Sequence, residues 1–436
     1  MTDRVIPDGW ESTTTTELIR EKALLIGDGY RAKNSEFVDD GGLPFIRVGD
    51  ITSRIRTDVR DELPLSRVEH YEPKVSQTND SLITMKGTVG RVARVSSTTR
   101  RFVYSPQISF WRVRDPLRLD PRFVSYWLRS PAFAEQAFAT KSGTDMADYI
   151  NLRDQRRMSL LLPPLATQQR VAAVLSAFDE LIEINERRIE LLEDLARSLY
   201  REWFVRFRFP GHAEVDFTDS ELGPIPERWE VVRLGSTAKW FSGGTPSTTE
   251  PAFWDGDIPW ISSGSLKSML LDRSDRSVTP AGASVGSRIV ERDTLLFVVR
   301  GMSLAREFRV GVAERTLAFG QDCKALLAND GVEPLYLAFS VFERRDDIQG
   351  MVELAGHGTG KLSTDRLKAV KYPLPPEPVQ RAFVETVTPI REALATHAAR
   401  SRQLAATRDL LLPRLVTGRL DISDIDLGEL LPPESA

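Results

Sequence analysis

The sequence predicts an α+β protein built twice over: a strand-rich globular unit followed by a long helix, then a second such unit and a second long helix. Three observations predict it. Residues 168–207 contain neither Gly nor Pro, and their apolar residues recur three and four apart, as on one seam of a long helix. Residues 377–418 carry a second seam of the same kind. Short motifs of the first half of the chain also return in the second half in the same order.

The echoes set the organisation. IPDGWE at 6–11 returns as IPERWE at 225–230, and LPFIRVGDI at 43–51 as IPWISSGSL at 258–266. DSLITMKGTVGRV at 80–92 returns as DTLLFVVRGMSLA at 293–305, and SGTDMADYINL at 142–152 as HGTGKLST at 357–364. LLPPLATQQR at 161–170 returns as PLPPEPVQR at 373–381, each leading into a long helix. Five echoes in one order, offset by about half the chain, mark a duplication. The expected layout is a first globular domain over 1–165, a long helix over 166–208, a second domain over 209–376, a second helix over 377–420 and an acidic tail over 421–436.

Within each domain, β-branched and aromatic runs such as SLITMKG, RVARVS, ISFWRV, TLLFVVRG and RVGVAE read as strands between Gly, Pro, Asp and Ser clusters. Helical patterns lie at 121–138 and 334–352. The first long seam runs Leu175, Phe178, Ile182, Asn185, Ile189, Leu192, Ala196, Leu199, Trp203. The second runs Phe383, Val387, Ile390, Leu394, His397, Ser401, Leu404, Leu411, Leu415. Each needs a helix partner along its length, and roughly forty residues make a rod of about 60 Å. Pro389 and Pro413 are expected to kink or end the second helix. Asn185 and His397, polar on opposite seams, read as a register device rather than a catalytic pair. Off the seam, Val205, Phe207 and Leu412 are expected either to dock a partner or to bury against the domains.

At 436 residues the chain exceeds one comfortable core. One cysteine, Cys323, makes no internal disulfide, and with no apolar leader or membrane span this leads to a cytoplasmic expectation. The net charge of −4 hides an uneven distribution. Residues 42–160 hold 20 Lys and Arg against 13 acids, residues 231–374 hold 18 against 17, and 421–436 carry five acids and no base.

Familiar catalytic apparatus is missing from the sequence. There is no Asp/Asn-Pro-Pro-aromatic loop of an adenine methyltransferase and no GxxxxGK[ST]. The four His residues (70, 212, 357 and 397) and Cys323 lack zinc spacing, no G-x-S-x-G elbow is found, and no metal ligands are assigned. Ser242-Gly243-Gly244-Thr245-Pro246 reads as a turn rather than a phosphate cradle.

What remains are cations interleaved with aromatics and glycine. The first domain offers Arg54, Arg56, Lys86, Arg91, Arg94, Arg100, Arg101, Arg112 and Arg114; the second offers Lys267, Arg273, Arg276, Arg300, Arg306, Arg309 and Lys361. Arginine binds phosphate and reads guanine bidentately, which makes these candidate DNA-binding residues, although a charge run also makes a plain solvated face. Two polar loops, Lys141-Ser142-Gly143-Thr144 and His357-Gly358-Thr359-Gly360-Lys361, either bring backbone amides to a phosphate or form tight turns before a strand.

Together the paired IPDGW and IPERW, SGGTPST with FWDGDIPWIS at 242–262, GTGKLS with PLPP at 358–376, the first rod, and RDLLLPRLVTGRL at 408–420 resemble the specificity subunits of type I restriction-modification systems. The likeness covers nearly the whole chain; the first domain departs most, lacking a GGTPS in ESTTTTELIREKALLIGDGYRAKN. The resemblance implies two target-recognition domains separated by an antiparallel pair of coiled-coil helices, related by a pseudo-two-fold axis. Each domain would read one half of a bipartite, asymmetric site in double-stranded DNA, with the helices as a ruler. A rod of about 60 Å at about 3.4 Å per base pair sets an upper limit of roughly 17 base pairs between half-site centres. The resemblance also implies no catalysis in this chain and two methyltransferase subunits docked along the helices. Restriction/translocase subunits would join them, with S-adenosylmethionine, ATP and magnesium held by the partners. A solitary DNA-binding regulator, a coiled-coil scaffold and a nuclease fused to a recognition module are the alternatives.

Overall fold

The computed structural model describes residues 6–52, 54–139, 150–355 and 358–422. Contacts divide the chain into two compact units. One comprises residues up to Glu183 together with those from Ser401 onward; the other is Ile184–Arg400. Both boundaries fall inside the long helices, so each unit holds one α+β domain and one end of each helix.

The main strands of the first unit are β1 (Glu11–Thr14), β2 (Leu24–Asp28), β3 (Leu43–Ile46), β4 (Ser81–Thr84), β5 (Val92–Arg94), β6 (Val103–Tyr104), β7 (Ile108–Val113) and β8 (Ser159–Leu162). β1 pairs antiparallel with β8, four strands form a sheet in the order β2-β7-β4-β5, and β3 lies parallel to β6 with Ile46 opposite Tyr104. Helix α1 (Pro121–Leu128) packs on this sheet, with Trp111, Trp127 and Phe133 at the centre of the core. The helical pattern at 121–138 divides at Pro131, because the residues before a proline are pushed out of helical geometry. Helix α2 (Leu165–Tyr200) follows β8 and contains 36 residues.

The second unit repeats the plan. Its strands include β9 (Glu230–Arg233), β10 (Ala238–Ser242), β11 (Trp254–Ile261), β12 (Leu295–Val298), β13 (Arg300–Gly301), β14 (Val310–Ala313), β15 (Leu317–Phe319), β16 (Cys323–Ala328), β17 (Glu353–Ala355), β18 (Thr359–Lys361) and β19 (Lys371–Leu374). β9 pairs with β19 as β1 does with β8, and the order β10-β16-β12-β14 matches β2-β7-β4-β5. β11 runs parallel to β15 with Ile261 opposite Phe319. Helices α3 (Pro334–Glu343) and α4 (Glu377–Leu415) complete it. The duplication seen in the sequence is therefore a duplication of topology.

Each motif echo has a structural task. In the second unit Trp229 of IPERW packs on Phe204, Phe207 and Phe209, where α2 ends, at centroid distances of 5.9, 5.4 and 5.3 Å. In the first unit IPDGW covers the end of α4. Gly418 there adopts φ +68°, and a Cβ would lie 2.5 Å from Pro7 and 3.1 Å from Trp10. Gly418 is thus fixed both by backbone conformation and by lack of room.

The helices pair antiparallel inside each unit. In the second, Asn185 meets His397 at 3.0 Å and Trp203 meets Phe383 at 5.8 Å, so numbers rise on α2 as they fall on α4. In the first, Asp179 meets Arg408 at 2.5 Å, and Leu175 shares a core with Leu412 and Leu415. All the predicted seam positions are buried or half-buried: Leu175, Phe178 and Ile182 with Leu404 and Leu411 in the first unit, and Asn185, Ile189, Leu192 and Leu199 with Phe383, Val387, Ile390, Leu394 and His397 in the second.

Pro389 and Pro413 do not end α4, which continues helical through both. Proline costs a helix interior about 3 kcal/mol, a loss that burial of Val387 and Leu394 in the core offsets. The hydroxyl of Thr388 donates to the Val384 carbonyl, and that of Thr417 to the Pro413 carbonyl. Leu412 is buried rather than exposed, whereas Val205 is half exposed and Phe207 rests against Trp229 and Phe217. No helix among the described residues is long and apolar enough to cross a membrane.

Candidate nucleic-acid interface

In the second unit β13, β18 and β17 form a three-stranded sheet that joins two segments singled out in the sequence, RGMSLA and GTGK. Arg300 is the direct antiparallel partner of Lys361, and Gly301 of Gly360. Opposed residues of an antiparallel pair put their side chains on one face, so Arg300 and Lys361 are neighbours. Gly360 permits this sheet, because a Cβ there would lie 2.7 Å from the Ala305 nitrogen. Arg300, Lys361 and Arg306 are all exposed, and none has an ion-pair partner among the described residues. Like charges placed side by side repel, and an anion lying across them reverses the sign of that interaction.

Other predicted cations of this unit divide into two kinds. Lys267 and Arg273 are exposed without a partner among the described residues. The Arg276 guanidinium lies 3.6 Å from the Trp254 ring centroid and 5.4 Å from that of Trp260, which fixes its plane at the surface. Arg309 instead braces the fold: its Nε is 3.4 Å from Glu307 and its Nη1 donates to the Ser263 carbonyl at 3.2 Å. Thr359 opens β18, and Gly358 immediately before it adopts φ +74°. His357 lies outside the described residues.

The first unit uses more of its cations internally. Arg56 pairs with Asp50 at 2.6 Å, Arg100 with the buried Glu62 at 2.8 Å, and Arg101 with Glu72 at 3.0 Å. Arg91 donates to the Ile51 carbonyl at 2.9 Å and Arg94 to the Asn79 side chain at 2.8 Å. Arg112 is buried and grips Asp80 with two bonds of 2.7 Å, so it belongs to the core. Arg54, Lys86 and Arg114 are exposed, while Lys141, Gly143 and Thr144 lie outside the described residues. The structure thus brings Arg300 and Lys361 together, leaves Arg306 exposed, and uses Arg91, Arg100, Arg101, Arg112 and Arg309 in bonds within their own units.

Several important side chains carry no clear signal in the sequence. Arg391 on α4 is buried and pairs with both Asp293 and Glu314, clamping that helix to the β domain of the second unit. In the first unit burial raises the Asp179 carboxyl, but hydrogen bonds and charge from Arg129 and a hydrogen bond from Arg408 outweigh it and hold the group below its ordinary value. Both are charged residues beside a helix seam, which read as solvated until the neighbouring domain is in place. The SGGTP segment is a packing device: a Cβ on Gly243 would lie 2.2 Å from the Gly320 carbonyl oxygen, and one on Gly244 2.3 Å from that of Gly286. Cys323 is buried, which pushes its thiol up to about 12.

The fold and these surfaces define a class: a duplicated α+β domain carried on paired long helices, with exposed cations on a three-stranded sheet that have no ion-pair partner among the described residues. The family model for the type I restriction modification DNA specificity domain matches residues 7–194 and again 226–406, and the chain belongs to that family. It is similar to the type I restriction enzyme MjaIX specificity subunit of Methanocaldococcus jannaschii, at 26% identity over 272 residues, covering 62% of each chain. The putative MjaX specificity subunit of the same organism is 22% identical over 431 residues, covering 96% of this chain and 95% of the relative. The crystal structure of a type I restriction-modification S subunit from M. genitalium shares the fold, with a TM-score of 0.52 at 17% identity over 95% of this chain and 98% of that one.

Proposed function

We propose that this chain is the sequence-reading subunit of a type I restriction-modification complex, each α+β domain reading one half of a bipartite, asymmetric site in double-stranded DNA. The single observation that carries the reading is the juxtaposition of Arg300 and Lys361, two exposed cations on adjacent strands without an ion-pair partner among the described residues; Glu353, opposite Lys361 on the other side, is paired with Arg366 at 2.9 Å. Topological duplication with diverged sequences suits a site in two unequal halves. The long helices act as the spacer, and the gap between half-sites follows their length.

In this reading the chain carries out no chemistry in the cytoplasm. Two methyltransferase subunits and the restriction/translocase subunits supply catalysis, along with S-adenosylmethionine, ATP and magnesium. Exposed apolar residues on α2 within the second unit support docking of a partner helix there: Ile184, Leu191 and Leu195 are each about half exposed, at helical spacing and off the buried seam.

The test is methylation mapping by long-read sequencing in cells with and without this chain, the matching methyltransferase subunit being present in both. The expected result is a bipartite motif of fixed gap that disappears with the chain. An unchanged set of methylated motifs would overturn the reading. Replacing residues 231–374 by the equivalent domain of a relative is expected to alter one half-site and leave the other.

A further inference from the structure

A cavity of about 210 Å³ lies inside the second unit, walled by the C-terminal part of α2, the segment 266–269, β14 and the helix Arg345–Gly350. Its walls carry four cations, Arg197, Lys267, Arg309 and Arg345, against two carboxylates, Glu193 and Glu307. Arg197 is paired with Glu193 at 3.1 Å. Arg309 and Arg345 share Glu307, at 3.4 and 3.1 Å. Lys267 has no partner among the described residues. Arg197 also lies 3.8 Å from Asp194, which is outside the cavity. Among the wall residues two positive charges therefore remain unbalanced around a concave space backed by Phe342 and Met269, where low-dielectric walls concentrate the field.

We propose that this cavity binds a phosphate-class oxyanion. Its volume lies below the roughly 300 Å³ at which pockets for larger organic ligands begin, and suits a tetrahedral anion with a few waters of about 30 Å³ each. Arg309 spends Nε and Nη1 on Glu307 and the Ser263 carbonyl, and Arg345 spends Nη2 on Glu307 and the Phe308 carbonyl. The anion would take the remaining guanidinium nitrogens, Nη2 of Arg309 with Nε and Nη1 of Arg345, and Lys267 adds a point charge. Burial pushes the Glu193 carboxyl up despite Arg197 and Arg345 beside it, so this is the wall group whose negative charge is least well supported. The oxyanion has two possible sources, free phosphate and a phosphodiester of bound DNA.

The experiment titrates the full chain with sodium phosphate, against sodium chloride at equal ionic strength and pH, by calorimetry and thermal shift. The expected result is saturable stabilisation by phosphate beyond that of chloride. Phosphate affinity falls at least tenfold in Lys267→Glu, whose side chain is exposed and spares the fold, and rises severalfold in Glu193→Gln. Arg188→Ala, exposed and outside the cavity, leaves phosphate affinity unchanged. Equal responses to phosphate and chloride, or affinities within twofold of the parent in both Lys267→Glu and Arg345→Gln, overturn the proposal. A random-sequence duplex separates the sources. If Lys267→Glu weakens duplex and phosphate by the same factor and phosphate displaces duplex, the occupant is a phosphodiester. If duplex affinity holds while phosphate binding is lost, it is free phosphate. Phosphate binding is measured without DNA, so failure of the DNA reading leaves this result standing.

Discussion

Gln168 and Gln380 make the same three hydrogen bonds in two different domains. Each sits one turn into a long helix, about 1% exposed. The Gln168 carbonyl accepts from the Asp120 main-chain nitrogen at 2.9 Å, and its amide donates to the carbonyls of Arg118 and Pro163 at 3.2 and 3.0 Å. Gln380 accepts from Glu333 at 2.9 Å and donates to Gly331 and Pro375 at 3.2 and 2.8 Å. One amide thus ties the Pro-Pro hinge, the head of the long helix and the start of a domain helix together in each unit.

Truncating either glutamine leaves buried main-chain groups unpaired, each at a cost of about 1–3 kcal/mol. Gln168→Ala is expected to loosen the first unit and Gln380→Ala the second. Hydrogen exchange read by mass spectrometry checks this; loss of protection spread evenly over both units would refute local clamps.

Arg300→Ala and Lys361→Ala are expected to weaken DNA binding and to lower the slope of log affinity against log salt by about 0.9 for each phosphate left without its cation. Filter binding or anisotropy across a salt series reads the slope. An unchanged slope in the double variant places the DNA elsewhere.

Arg91 and Arg309 precede the equivalent strands β5 and β14, and each donates to a main-chain carbonyl. Arg91→Ala and Arg309→Ala are expected to destabilise their own unit by about 1.5–3 kcal/mol, the worth of one charge-assisted bond, while Arg91→Ala leaves the salt slope unchanged. A slope reduced as far as in Lys361→Ala would mean that Arg91 touches DNA after all.

Arg391→Leu leaves Asp293 and Glu314 only the looser contacts to Arg292, at 4.0 and 3.6 Å. Breaking a buried pair costs about 3–5 kcal/mol, and the partial exposure of Asp293 favours the low end. Denaturant unfolding of the second unit measures it. A cost below about 1 kcal/mol, the range of exposed pairs, would show that the clamp is solvated.

Glu193 has a carboxyl raised by burial in the folded state. A raised group stabilises most below its unfolded pKa, and that contribution is lost as pH rises through the folded value. Glu193→Gln, which stays neutral, is therefore expected to raise the melting temperature at a pH of about 7.5 relative to the parent and to lose that advantage near pH 4, where the carboxyl itself is largely neutral. An advantage that is constant across pH would mean packing, not charge, is responsible.

Much of this architecture is legible in the sequence, because the features that carry it are local and repeated. The seam from Leu175 to Leu199 follows from spacing alone, and the IPDGW and IPERW echoes survive because each tryptophan covers a helix end. The persistence of α4 through Pro389 is not legible: it depends on a core assembled from residues far away in sequence. Nor can composition separate Arg300, which has no ion-pair partner among the described residues, from Arg100, which is neutralised by Glu62 across 38 residues of chain. Pairing of that kind is a property of the folded surface.

The first unit takes Leu412, Leu415, Val416 and Ile422 into the same core as Leu18 and Trp111. A ribosome that has passed Glu183 must add about 230 residues before those side chains exist. At about 5–20 residues per second this is a wait of roughly 10–50 s. Through that interval the half of the chain made first lacks part of its interior, while the half made second closes on residues 184–400 alone. The order of completion is therefore the reverse of the order of synthesis, and the early domain is the one that needs protection from aggregation while it waits.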